Sequence, residues 1–220
     1  VILRLGLGYR IDGIAEARRL YRKIRSRRRA PLLICANHLT MIDSALIAWA
    51  LGSPWWYVWR FSALPWNVPE QANFAATRWQ RALAYVFKCL PIARGGSREE
   101  VAGVLARLAE VLETGEAGLV FPEGGRSRSG RVEEASAAYG VGRVVRSVPG
   151  CQVLCVYLRG DAQETYTGIP MRGDRFRVAL RVIEPKSDHT GLRGSRDVAR
   201  QIVRVLAEME REHFEGRGDR

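Results

Sequence analysis

Leu32-Leu33-Ile34-Cys35-Ala36-Asn37-His38 is an unbroken apolar run that ends in two polar residues. A run this short, restarted by Pro31 and without alternation, reads as a strand buried on both faces. The arrangement recurs where Ala117 to Phe121 runs into Pro122-Glu123-Gly124-Gly125-Arg126, and in shorter form where Leu90 to Ala93 runs into Arg94. A helix lies between these runs: Ser97 and Glu100 have capping-box spacing, and Val101, Val104, Leu105, Leu108, Val111 and Leu112 share one face. Thr114-Gly115 closes that helix. Short apolar strands alternating with amphipathic helices predict an α/β fold. The expected form is a mostly parallel central sheet of about six to seven strands covered by helices on both faces. In such sheets ligands collect beyond the carboxyl ends of the strands. Asn37-His38, Arg94 and Glu123 to Arg126 all fall on that edge.

Working outward, Leu3 to Ile14 is expected to form an opening strand and Ala15 to Arg29 a basic helix. Ile42 to Leu51 reads as a helix, Trp55 to Trp59 as a second buried strand, and Thr77 to Phe87 and Ala135 to Val148 as helices. Gln152 to Leu158 and Arg175 to Ile183 read as strands, and Val198, Ile202, Val205, Leu206 and Met209 mark a final amphipathic helix. The chain's 220 residues suit one domain. Residues 1–30 would supply the opening strand and basic helix, 31–160 the motif-bearing core, and 161–220 the closing strands and helix. An apolar share of 47% with 26% charged residues excludes a disordered chain. No stretch reaches the roughly 18 consecutive apolar residues of a membrane span. No repeat is visible, and no signal peptide is expected from the first residues.

Lys and Arg number 35 against 23 Asp and Glu, a formal charge of +12. Only Lys23, Lys88 and Lys186 are lysines. An excess of this size favours an anionic partner: nucleic acid, an acidic lipid surface, an acidic protein or a phosphorylated substrate. Cys35, Cys89, Cys151 and Cys155 sit in apolar contexts without zinc-ligand spacing, so they are expected to be reduced, buried and not metal-bound. The other histidines, His189 and His213, also lack ligand spacing, and no metal site is expected.

His38 at a strand end, with Asp43 five residues on at a helix start, has the spacing for a carboxylate to meet an imidazole across a turn. The carboxylate would fix the tautomer and stabilise the imidazolium formed when a proton is taken. No Gly-x-Ser-x-Gly nucleophile accompanies the pair, so the attacking hydroxyl is expected to belong to the substrate. Taken alone, so short a pattern reads better as a histidine capping a helix whose first turn the aspartate supports. Glu123-Gly124-Gly125-Arg126-Ser127-Arg128 combines glycines that allow close backbone approach with two guanidinium groups, a chemistry suited to a phosphate. It lacks the Gly-Lys-Ser/Thr of a nucleotide-binding P-loop. Alone, it would pass as a flexible surface turn.

Together, His38-x4-Asp43 followed by Phe121-Pro122-Glu123-Gly124-x-Arg126-Ser127 resembles the glycerolipid acyltransferase family, in particular its lysophosphatidate acyltransferase group. The order of the family's four blocks also fits. Asn37 to Asp43 matches the first and Phe121 to Ser127 the third, while Lys88 to Arg94 and Val153 to Val156 are similar to the second and fourth. The resemblance spans about Leu32 to Leu158. Four departures stand out: Gly125 replaces the usual Thr, Lys88 the usual Gly, Ala93 a common acidic residue, and the fourth block lacks its proline.

The resemblance implies an O-acyltransferase that moves a fatty acyl group from acyl-CoA or acyl carrier protein to a lyso-phospholipid hydroxyl, most directly that of 1-acylglycerol-3-phosphate. His38 would be the general base and Asp43 its orienting partner. Glu123 and Gly124 would shape the acceptor site, Arg94 and Arg126 would bind an acceptor phosphate, and Arg60 would add a further basic contact. No cofactor is implied beyond the acyl donor. The basic run Arg18 to Arg29 and the tryptophans Trp49, Trp55, Trp56 and Trp59 add an expected anionic membrane partner. The expected location is peripheral or monotopic, on the cytoplasmic face. Two alternatives are an acyltransferase acting on a non-phosphate acceptor (a lyso-aminolipid or glycolipid) and a nucleic-acid-binding protein using the basic helix. The second has no recognisable binding motif and leaves both strand-end clusters unexplained.

Overall fold

In chain order the strands are β1 (Arg10–Asp12), β2 (Leu32–Ala36), β3 (Trp66–Asn67), β4 (Ala117–Val120), β5 (Gln152–Gly160) and β6 (Arg175–Ile183). The helices are α1 (Ile14–Ser26), α2 (Asp43–Leu51), α3 (Pro54–Trp59), α4 (Arg98–Glu113), α5 (Tyr139–Ser147) and α6 (Gly191–Gly218). They are taken from a computed structural model that describes residues 2–26, 30–69, 88–92 and 97–218. The strands form one sheet in the order β1-β6-β5-β2-β4-β3. Leu32 of β2 lies opposite Ala117 of β4 on one side and Gln152 of β5 on the other, all parallel. β3 extends the parallel set beyond β4, β6 runs antiparallel to β5, and β1 is parallel to β6. This is the expected single-domain α/β fold with a mostly parallel sheet.

The period of two along each strand divides the core into two layers. Leu32, Ile34, Ala36, Leu154, Val156 and Leu158 face α1 and α2, packing with Tyr21, Leu46, Ile47 and Leu51. Leu33, Cys35, Val153, Cys155 and Tyr157 face α4, α5 and α6, packing with Leu108, Leu112, Val144, Ile202 and Leu206. Because β2 and β5 are buried on both sides, their sequences carry no alternation. The capping box at α4 is complete: the Ser97 hydroxyl accepts from the Glu100 N–H at 3.2 Å, and the Glu100 carboxylate accepts from the Ser97 N–H at 2.8 Å. All four cysteines are buried and unbridged. Among the described residues, no helix is long and apolar enough to cross a membrane.

Two elements differ from the expectation. Trp55 to Trp59 is not a buried strand but lies in the helix α3, with Trp55, Val58 and Trp59 exposed. The Ser53 hydroxyl accepts from the Trp56 N–H at 3.2 Å and Pro54 is the first helical residue, so this helix start outweighs the β-propensity of the aromatic run. The opening strand shrinks to Arg10–Asp12, preceded by a helical turn over Ile2–Gly6, because Gly8 takes a left-handed φ of 74° that breaks an extended chain. The predicted helix Thr77 to Phe87 lies outside the described residues. Of the short strand Leu90 to Ala93, the described part is bonded to the β3 segment, with Leu90 donating to Asn67 O and Ile92 to Pro69 O.

Candidate active site

β2 delivers its last residues to the carboxyl edge of the sheet, and Asn37 fixes the exit. Its side-chain amide donates to Leu158 O at 3.0 Å and accepts from Leu158 N–H at 2.8 Å, splinting the end of β2 to β5. The chain then turns through Leu39 to Ile42 into α2, whose first residue is Asp43. A carboxylate in the first helical turn meets the unpaired N–H groups and positive end of the helix dipole. Here it organises the turn as well: Asp43 Oδ2 accepts from Leu39 N–H at 2.6 Å and Thr40 N–H at 2.8 Å, and Oδ1 accepts from the Thr40 hydroxyl at 2.6 Å.

The remaining partner of Asp43 Oδ2 is His38 Nδ1, at 2.9 Å. A carboxylate only accepts, so Nδ1 carries the hydrogen and the lone pair stays on Nε2. Among the described residues, Nε2 makes no hydrogen bond. The ring lies flat on Phe121, with centroids 3.9 Å apart and planes inclined by 12°. Two contacts therefore fix the imidazole: a carboxylate in its plane sets the tautomer and a phenyl ring beneath sets the plane. This is the arrangement of a general base with its orienting acid.

Phe121 begins the third block, which folds against the first. Ser127 N–H donates to His38 O at 2.9 Å. Gly124 has φ 71° and donates its own N–H to Phe121 O at 3.0 Å, closing a tight turn under the histidine. That amide is therefore engaged, whereas among the described residues the amides of Gly125 and Arg126 make no hydrogen bond. Glu123 is partly buried; its Oε2 accepts from Glu133 N–H at 3.3 Å, and among the described residues its buried Oε1 has no hydrogen-bond partner. Burial pushes the Glu123 carboxyl up to about 7, against the lowering effect of the Glu133 and His38 backbone amides. Arg126 places its guanidinium over the Tyr166 ring, 5.5 Å from the centroid, and among the described residues it has no ion pair.

A second polar centre, not legible in the sequence, supports the third block from below. Arg159 and Glu210 are both nearly fully buried. The Arg159 guanidinium donates to the carbonyls of Gly130, Gln163 (3.1 Å) and Glu164 (2.9 Å), and lies 3.7 Å from Glu210. Glu210 accepts from Arg131 Nε and Val132 N–H, each at 3.1 Å, and from the Tyr157 hydroxyl at 3.2 Å. The loop from Ser127 to Val132 is thereby clamped between β5 and α6. Gly130 is required there, since a Cβ would lie 2.3 Å from Glu164 O and its φ is 71°. Spacing offers no signal for this pair, which is separated by about fifty positions and joined only by the packing of α6.

The structure thus gathers His38, Asp43, Glu123, Gly124 and Arg126 on adjoining turns of the carboxyl edge. Arg94 lies outside the described residues. Arg60 is not brought to this cluster: it caps the far end of α3, beside the segment Phe61–Ala63. That segment lies at the opposite edge of the sheet, since Arg25 donates to both Ser62 O and Gly115 O, and Gly115 stands just before the start of β4. Lys88, where the second block begins, is buried and bonded to Glu116 at 2.5 Å, also at that edge. Among the described residues, no group of three or more His, Cys, Asp or Glu side chains could hold a metal ion.

A family model described as acyltransferase matches residues 18–159, which covers both constellations and all of β2 to β4. No curated protein matches the chain. The match spans more than half of the sequence, and with it the turn holding His38 and Asp43 falls inside a known enzyme family: the chain belongs to the glycerolipid acyltransferase family and is an enzyme that transfers acyl groups.

Proposed function

We propose that this acyltransferase moves a fatty acyl group from an acyl thioester, acyl-CoA or acyl carrier protein, to the free hydroxyl of a lyso-phospholipid, with 1-acylglycerol-3-phosphate as the leading acceptor. The observation that carries this reading is the 2.9 Å contact between His38 Nδ1 and Asp43 Oδ2, which leaves Nε2 as the basic atom. Nε2 takes the proton of the acceptor hydroxyl as its oxygen attacks the thioester carbonyl. The new C–O bond forms, the oxyanion collects on the carbonyl oxygen, and collapse breaks the C–S bond. The departing thiolate then receives the proton back from His38. The amides of Gly125 and Arg126 are the candidate donors to the oxyanion. No acyl-enzyme is needed, because the nucleophile comes with the acceptor.

The acceptor phosphate would be bound by Arg126, which has no ion pair among the described residues and follows two glycines, with Arg94 as a second candidate. Glu123 would border the acceptor. A lipid acceptor and the chain's charge of +12 support work at an anionic membrane surface, peripheral or monotopic, on the cytoplasmic face. The test is thiol release with acyl-CoA and with acyl carrier protein across a panel of lyso-phosphatidate, lyso-aminolipid and glycolipid acceptors. The expected result is turnover concentrated on the phosphate-bearing acceptor. Equal or greater turnover of an acceptor without phosphate would contradict the role of Arg126.

A further inference from the structure

We propose that the protein meets an anionic bilayer through the carboxyl edge of its sheet, with Met41, Tyr166, Ile169 and Met171 entering the headgroup layer beside His38. The inference rests on the acyl-transfer reading for its lipid substrate and goes beyond it in naming the face. Met41 is 60% exposed, Ile169 67% and Met171 68%, and Tyr166 is exposed as well. Scattered exposed apolar residues are ordinary, whereas a cluster on adjoining backbones is not. Here the backbones are joined. Thr40 and Thr167 form a bridge, Thr167 N–H donates to Leu39 O at 2.9 Å, and Met41 N–H donates to Gly168 O at 3.0 Å. The Tyr9 hydroxyl holds Pro170 O at 2.7 Å. These large side chains therefore stand on a hydrogen-bonded platform continuous with the turn that carries His38.

Charge on the platform's own segments is basic, although Asp43 and Asp174, both buried, the half-buried Glu123 and the exposed Glu164 flank them. Residues 38–42, 124–131 and 165–173 include Arg126, Arg128, Arg131 and Arg172 and no Asp or Glu. Arg131 is paired with Glu210, and Arg126 is the proposed ligand of the acceptor phosphate. Arg128 and Arg172, the latter also donating to Gly6 O at 2.8 Å, are therefore the cations that meet anionic headgroups. The other exposed apolar group, Trp55, Val58, Trp59 and Phe61, has the stronger composition for an interface but the wrong place. It lies beyond the far end of α2, about 13 Å of helix from Asp43, at the edge where the Lys88 ammonium sits over Phe61. A bilayer on that side would face away from His38.

The experiment is co-sedimentation with vesicles of phosphatidylcholine alone and of an equal mixture with phosphatidylglycerol. It compares the wild-type chain, the pair Ile169→Glu with Met171→Glu, and the pair Trp55→Glu with Trp59→Glu. The wild type is expected to bind the mixed vesicles better than phosphatidylcholine. The 169/171 pair is expected to lose about tenfold or more of that binding, and the tryptophan pair to stay within about twofold. Melting midpoints check that each variant is folded, and Ile169→Ser gives the same readout with a milder change. The proposal is overturned by a 169/171 variant that binds like the wild type, by a tryptophan variant that alone loses binding, or by vesicle binding that is absent altogether. It is also overturned by a dimer in light scattering that the 169/171 change dissociates while vesicles are ignored. Vesicle binding needs no turnover, so a chain that binds through this edge yet acylates nothing would refute the acyl-transfer reading and leave the surface standing.

Discussion

The backbone carbonyl of His38 accepts a hydrogen bond from the N–H of Ser127 at 2.9 Å, although 89 positions separate the two residues. The bond joins the turn that orients the imidazole to the turn that presents Arg126, one residue earlier. Together with the stacking of Phe121 on His38, it makes the first and third blocks one structural unit. The turns that carry His38 and Arg126, the proposed base and phosphate ligand, are thereby held in register by backbone, which is how a site keeps its geometry through a reaction.

Asp43 has two duties that its variants should separate. Asp43→Asn keeps one acceptor oxygen but also offers an N–H to the imidazole, favouring the wrong tautomer. The expected outcome is a fall in kcat of about a hundredfold or more in steady-state kinetics. Asp43→Ala additionally leaves the Leu39 and Thr40 amides without their buried acceptor. Each such group costs about 1–3 kcal/mol, visible as a lower denaturation midpoint.

Glu123 should make stability depend on pH. Its carboxyl ordinarily titrates at 4.5 and burial raises it to about 7. Between these values the folded chain holds a proton that the unfolded chain has released, so this contribution is fully present below pH 4.5. It is lost as pH rises through 7. Glu123→Gln removes the titration, and denaturant midpoints of the variant should decline less than those of the wild type across that window. An unchanged slope would place the carboxyl in water.

Arg126→Ala should raise the KM for a phosphate-bearing acceptor by about tenfold to a hundredfold, the loss expected for charge-assisted hydrogen bonds. The KM for the acyl donor should change little. An acceptor KM that stays constant would mean that the guanidinium serves only its contact with Tyr166.

Much of this site was legible because its key relation is local. His38 and Asp43 are five positions apart, and a strand end followed by a helix start brings them together whatever the rest of the chain does. The strands β2, β4 and β5 were legible as unbroken apolar runs for the same reason that they are buried on both faces. α3 was not, because Trp55-Trp56-Tyr57-Val58-Trp59 has the composition of a strand, and the deciding signal was the Ser53-Pro54 helix start before it. The Arg159–Glu210 centre left no trace in local pattern. Arg159 sits inside an apolar strand and Glu210 on a helix rich in Arg and Glu, so only the docking of α6 reveals them as partners.

That buried centre should act on the acceptor site through the loop it clamps. Glu210→Gln leaves Arg159 without a carboxylate and is expected to cost about 3–5 kcal/mol in denaturant unfolding. In kinetics, the acceptor KM should rise more than kcat falls, because the Ser127–Val132 loop that follows Arg126 loosens while the His38–Asp43 contact stays intact. Equal effects on both parameters would indicate general loss of fold. Glu210→Asp, which keeps the charge, should recover part of the acceptor affinity.

The most direct test is single-turnover thiol release by His38→Ala, with acceptor affinity measured separately. With Nε2 gone and Asp43 left in place, the rate of acyl transfer should fall by about a hundredfold or more, and acceptor binding should stay within about threefold of the wild type. Transfer at a rate close to that of the wild type would show that the proton leaves by another route and would contradict the account.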